Sequence, residues 1–220
     1  MTDYQILQKV AKEEGEFPIA DLVEMWQLES SRGTHPDTNK GKYQGHFQLS
    51  STIAKKYGLK PEDRDDLELS ARAAIKYRKA NIKNMPNTLK SYKDLGIDES
   101  MVGYLAHQQG RFGIQDIITG LTSGNFSGEN TRWNILNNLG VIAEDFKKVN
   151  KYFQDNPEGR QRIASQYLSF WKTKNIINKK EAKDWMAGEV KKLSLKKDIE
   201  SFRPDEAVVD SVIKQGANTL

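Results

Sequence analysis

Pro18-Ile-Ala-Asp-Leu-Val-Glu-Met-Trp-Gln-Leu-Glu-Ser-Ser31 is the stretch whose reading decides the fold. Proline suits the first turn of a helix, where a missing N–H costs nothing. Ile19, Leu22, Val23 and Trp26 then recur at i, i+3, i+4 and i+7, the spacing of one apolar stripe on an amphipathic helix. Glu29 lies three residues beyond Trp26 and prolongs that stripe. The spacing therefore turns a carboxylate toward the core side of the helix. Loss of hydration there disfavours the charged form and raises the pKa, the property a general acid needs near neutral pH.

Outward from this helix the chain reads as a series of short helices. Residues 2–14 carry Ile6, Leu7 and Val10 at helical spacing and end at Gly15. After Ser31, the run Arg32 to Gly45 is dense in turn formers and reads as a loop with a small hairpin. Ser50, Ser51 and Thr52 offer caps for a helix through Ile53, Ala54 and Tyr57, closed at Gly58. Pro61 to Asp66 is an acidic turn suited to a helix N-terminus. The next helix carries Leu67, Ala71, Ala74, Ile75, Tyr77 and Ile82 and stops before Pro86. Asp98 caps another through Met101, Val102 and Leu105, halted by Gly110, and Ile114, Ile117, Ile118 and Leu121 supply one more.

Gly120 to Asn130, with three glycines, is the expected internal boundary, giving regions 1–122 and 123–220. Beyond it come Trp133-Asn-Ile-Leu136, then helical periods through Ile142 to Phe153, Ile163 to Trp171 and Glu181 to Leu195, and a terminal helix through Val208, Val209 and Val212. Alternating strand patterns are scarce, so the expected class is mainly α.

Composition narrows the function. With 220 residues, 37 % hydrophobic content and four tryptophans, the chain can build a substantial core, and Trp26, Trp133, Trp171 and Trp185 read as core residues. A charged fraction of 29 %, with no apolar run near the ~20 residues of a spanning helix, argues against a membrane span. The N-terminus lacks the basic start and apolar block of a secretory signal. Cysteine is absent, which removes disulfides, thiolate nucleophiles and Cys metal sites. His35, His46 and His107 lack metal-ligand spacing, so no metal or other cofactor is expected. No phosphate-binding loop, dinucleotide fingerprint or nucleophile elbow occurs. The net charge of +4 falls entirely in residues 141–220, where sixteen basic residues face twelve acidic ones. So small an excess reads as a solvated surface, and nucleic acid is not the expected partner.

Three further stretches fall in a suggestive order: Leu28-Glu29-Ser30-Ser31, Gly45-His46-Phe47-Gln48-Leu49, and Tyr104-Leu105-Ala106-His107-Gln108-Gln109-Gly110. With Ile53-Ala-Lys-Lys-Tyr-Gly58 between them, they resemble the lysozyme-like lytic transglycosylases and goose-type lysozymes, over roughly residues 17–122. The resemblance implies a lysozyme-like fold with a helical C-terminal extension, and cleavage of the β-1,4 bond between MurNAc and GlcNAc in peptidoglycan glycan strands. It implies Glu29 as general acid and base. It implies that Ser30 hydrogen-bonds the glutamate or the sugar, and that Gly45, Phe47 and Gln48 line the cleft, with Gln48 donating to the glycan or packing beneath it. Where the family has a tyrosine touching the catalytic carboxylate this chain has His107, and Gln108 replaces an asparagine; the resemblance implies that both, with Tyr104, face the bound substrate. A protonated imidazole would depress the carboxyl pKa, so His107 is expected to be neutral, or to leave the contact to Tyr104 one turn earlier.

Water or the sugar's own hydroxyl can complete such a cleavage. An inverting hydrolase needs a second carboxylate ~6.5–9.5 Å away, for which Asp37, Asp94 and Asp116 are the candidates. In the expected single-acid scheme Glu29 acts alone and leaves a 1,6-anhydro product. The favoured context is a virion-associated phage enzyme, delivered to the bacterial periplasm or wall, whose C-terminal region docks to phage structural proteins or to the wall. The alternatives are a true lysozyme or endolysin, and a catalytically inactive adaptor on the same scaffold.

Overall fold

The computed structural model describes residues 1–34, 41–125, 135–136 and 156–201. Among the described residues the chain is mainly helical, with one two-stranded sheet. It divides into two compact units, Met1–Ala182 and Lys183–Leu220.

Local chemistry starts and stops the elements of the first unit. Helix α1, Asp3–Glu13, opens with a reciprocal capping box in which Thr2 Oγ1 accepts from the Gln5 amide and Gln5 Oε1 accepts from the Thr2 amide. Gly15 follows with φ of +81° and turns the chain into α2, Ile19–Ser30. Pro18 sits at the cap of α2, one residue earlier than the sequence pattern places it. Strands β1, Tyr43–Gln44, and β2, Leu49–Ser50, pair antiparallel with Tyr43 opposite Ser50. Ser50 then caps α3, Ser51–Lys56, and Asp66 at the end of the 3-10 turn Pro61–Asp65 caps α4, Leu67–Lys83.

Helix α5, Pro86–Asp94, lies where the sequence pattern predicts none. Pro86 does not break structure here: it occupies the first turn, where its fixed φ favours a start. Tyr92 is the anchor of α5, fully buried with its hydroxyl donating to the Ile114 carbonyl at 3.0 Å. Asp98 caps α6, Glu99–Ser123, which changes direction at Gly110 (φ 68°, ψ 167°), so the two expected helical segments run on either side of that residue.

Within the first unit α4 packs on α1 and α6, α5 on α6, and α1 on α2. Leu22, Val23 and Trp26 of α2 are all buried, as the stripe requires, and Met25 is buried beside them, although Ile19 at its start is half-exposed. Each such side chain contributes roughly 1.5–3 kcal/mol of burial free energy.

Helix α7, Pro157–Ser201, joins the two expected periods at 163–171 and 181–195 into one element. Its residues through Ala182 belong to the first unit. The compact units thus divide after Ala182 instead of after residue 122. The reason is packing: Trp171 of α7 lies 5.2 Å from Tyr104, ring to ring, and Lys179 forms a 2.9 Å ion pair with Asp98. In the second unit, α7 continues to Ser201, with Lys192 paired to Glu189 at 2.7 Å. Trp133, the period 142–153 and the helix expected near Val208 lie outside the described residues. No helix among the described residues is long and apolar enough to cross a membrane.

Candidate active site

Glu29 is the penultimate residue of α2, and the chain leaves the helix abruptly after it. Ser31, Arg32 and Gly33 all take positive φ values, 47°, 59° and 79°. Two consecutive non-glycine residues in this region are strained, so other contacts must hold them. Ser30 is the holder. Its buried Oγ accepts from the Gly33 amide at 2.8 Å and donates to the His46 carbonyl at 2.7 Å, tying the end of α2 to the hairpin. The sequence reading pairs Ser30 with the glutamate or a sugar. The structure corrects this, because the hydroxyl is consumed by backbone partners.

The carboxyl of Glu29 faces inward, as its place on the stripe predicts. Oε1 is buried without a hydrogen-bond partner, while the side chain keeps 13 % of its surface exposed. Burial raises its pKa from the ordinary 4.5 to about 8; a hydrogen bond with Tyr104 and the charge of Lys174 act in the opposite direction. An unpaired buried oxygen ordinarily costs about 1–3 kcal/mol, so its retention calls for a reason.

His107 closes the inner side. Its Nε2 lies 3.8 Å from Glu29 Oε1 and 3.1 Å from the Phe47 carbonyl. A carbonyl only accepts, so Nε2 carries the proton and donates to it, leaving Nδ1 bare, buried and unpartnered. Burial lowers the His107 pKa to about 4. The imidazole is neutral near pH 7 and leaves the carboxyl's raised pKa intact. Burial thus favours a neutral His107, and Tyr104 also acts on the acid, lowering its pKa. Tyr77 backs the histidine, ring centroids 5.3 Å apart.

The hairpin supports this cluster from beneath. The Phe47 side chain is fully buried, so its part is played by the main-chain carbonyl that holds His107, and the expectation that its ring lines a cleft is corrected. Gln48, nearly buried with φ of 45°, donates from Nε2 to the Gly45 carbonyl at 2.9 Å, which favours the packing role over the donor role. Gly45 (φ 78°) allows a close approach, but to protein: an added Cβ would stand 1.9 Å from the Arg64 carbonyl. A substrate contact for Gly45 is therefore replaced by a structural one. Gln108 Oε1 accepts from Tyr167 of α7 at 3.3 Å and from Gln109 at 3.2 Å, so it bridges helices where sugar contact is expected.

Two supports escape the sequence reading. Arg64, buried within an acidic turn, donates to the Pro61 carbonyl at 2.7 Å, the Leu49 carbonyl at 2.9 Å and Gln44 Oε1 at 2.6 Å, fixing the hairpin under the site. No motif marks it. The other is the first part of α7, which supplies Tyr167, Trp171 and Lys174 from outside the resembling stretch. Trp26 Nε1 donates to His46 Nδ1 at 3.0 Å, a link between the core of α2 and the hairpin.

Of the candidate second carboxylates, Asp94 is exposed at the end of α5 and Asp116 is buried in the second half of α6. Burial, and not a neighbouring carboxylate, raises the Glu29 pKa. Asp37 lies outside the described residues. Among the described residues no three His, Asp or Glu side chains cluster to hold a metal ion. What the arrangement can do is hold a proton on a carboxyl at neutral pH and hand it to an entering group. No family model, curated protein or solved structure matches the chain.

Proposed function

We propose that this protein cleaves the glycan strands of peptidoglycan between MurNAc and GlcNAc, with Glu29 as general acid and base on a lysozyme-like scaffold. The observation that carries the reading is the Glu29 carboxyl itself, held protonated by burial at the end of α2, with one oxygen left unpaired. Glycosidic cleavage needs a proton delivered to the leaving oxygen as positive charge develops on the sugar ring. A carboxyl with a pKa near 8 supplies that proton at neutral pH. After bond cleavage the same group, now a carboxylate, takes a proton from the attacking hydroxyl. Neutral His107 and Tyr104 position it without neutralising that cycle.

The single-acid route, ending in a 1,6-anhydro sugar, is the one we favour over hydrolysis, because it asks for no second carboxylate beside Glu29. Mass spectrometry of products from purified murein tests both levels. Fragments lighter by one water than reducing sugars are expected. Reducing ends would replace the transglycosylase with a lysozyme. No product from the wild type would replace the enzyme with a non-catalytic adaptor. Action on phage entry, with phage structural proteins as partners, is the context we propose for such a chain.

A further inference from the structure

Lys174 of α7 stands beside this site with its charge uncommitted. Its ammonium lies 4.8 Å from the Trp171 ring centroid and 5.7 Å from that of Phe170. Trp171 in turn packs 5.2 Å from Tyr104, which hydrogen-bonds Glu29. The side chain is exposed, and among the described residues no carboxylate pairs with it within 4 Å. Its nearness to the acid is also felt electrostatically, since it favours the charged form of Glu29. Two aromatic faces hold a flexible lysine stem in place, an attraction worth about 0.5–1 kcal/mol at an exposed site, so less ordering remains to be done on binding.

A fixed cation beside a proton donor slightly weakens that donor, so its benefit must lie elsewhere. We propose that Lys174, held over Trp171 and Phe170, is a specificity residue that recognises a carboxylate carried by the substrate sugar next to the bond Glu29 protonates. The inference rests on the glycosidase reading and deepens it. It makes the muramyl sugar the recognised unit, because its lactyl group carries a carboxyl that is either free or extended by a peptide with carboxylates of its own. A glycan built from N-acetylglucosamine alone offers no such anion.

The test is calorimetric titration of the full chain carrying Glu29→Gln, which prevents turnover. Three tetrasaccharides serve as probes: a MurNAc–GlcNAc alternation with free lactyl groups, the same glycan with peptide stems, and chitotetraose. Carboxylate-bearing glycan is expected to bind about tenfold more tightly than chitotetraose, and the advantage shrinks as salt rises. Which of the two carboxylate glycans holds the advantage identifies the source of the anion. Adding Lys174→Met is expected to abolish the ratio, and adding Lys174→Arg to retain it. An unchanged ratio in Lys174→Met, or equal affinity for all three probes, overturns the role of Lys174 while leaving the glycosidase reading in place. Failure to bind any of the three overturns both.

Discussion

Glu24 and Glu29 are carboxylates on one helix, five residues apart, the first buried and the second half-buried with one buried oxygen, and they are treated in opposite ways. Glu24 is 6 % exposed and matched: Ser100 Oγ donates to it at 3.0 Å, and the charges of Lys179 and Arg78 favour its ionised form. Burial still raises its pKa, but these partners offset part of the rise. Glu29 is left with a buried, unpaired oxygen beside a neutral imidazole and rises to about 8. Near Glu24, Arg78 is paired with Asp21 at 2.7 Å. Around Glu29 it withholds a partner that Glu24 shows it can supply. Burial alone does not mark a functional acid. Burial with an unmet hydrogen-bonding demand does, because that is the state in which a proton is retained and then released to something that enters.

The largest expected effect breaks the comparison outright. Glu29→Gln should cut murein clearing in a turbidity assay by about 10²–10⁴-fold, the usual worth of a positioned acid. Glu24→Gln should leave turnover within a factor of about three, because that carboxyl is bonded to Ser100 and touches no reacting group. Equal losses in both variants would mean that the two carboxylates do not differ as proposed.

The next effect is on stability and carries a definite sign. Folded Glu29 keeps its proton up to pH about 8, while the unfolded chain ionises near 4.5. Between those values the folded state binds more protons, so stability falls as pH rises. Glu29→Gln removes that fall and should stabilise the protein at pH 8 by on the order of 4 kcal/mol, with almost no gain at pH 4. Denaturant titrations at the two pH values measure the difference.

Ser100→Ala sharpens the other side. It removes the donor to Glu24, leaves a buried carboxylate oxygen less well satisfied, and should cost about 1–3 kcal/mol in a urea melt. The pH profile of glycan cleavage should not move. Tyr104→Phe gives the smallest effect. It deletes a hydrogen bond that lowers the Glu29 pKa, so the alkaline limb of the profile, expected near pH 8, should shift upward by less than about one unit. A downward shift would show that the tyrosine does not support the charged form.

Much of this was legible before any coordinates. Ser50 and Asp98 cap the helices their side chains suggest, because capping is a bond between near neighbours; Thr2 and Asp66 do the same without having been singled out. Pro86 misled, since the same residue that ends one helix can begin the next. Ser30, Phe47, Gly45 and Gln108 lie in or against the cluster, but their atoms are committed to protein partners that no spacing reveals. Arg64 left no mark because its value lies in carbonyls 15 and 22 residues away.

By itself the chain's order of residues determined most of the helices, several of their caps, and the side of α2 on which Glu29 falls, since these follow from periodicity and bonds within a few positions. Only the tertiary structure decided that one carboxyl oxygen would be buried without a partner, that His107 would be neutral and turned to the Phe47 carbonyl, and that α7 would bring Lys174 beside it. Desolvation and charge are properties of everything packed around an atom, and that neighbourhood is assembled from residues more than a hundred positions apart.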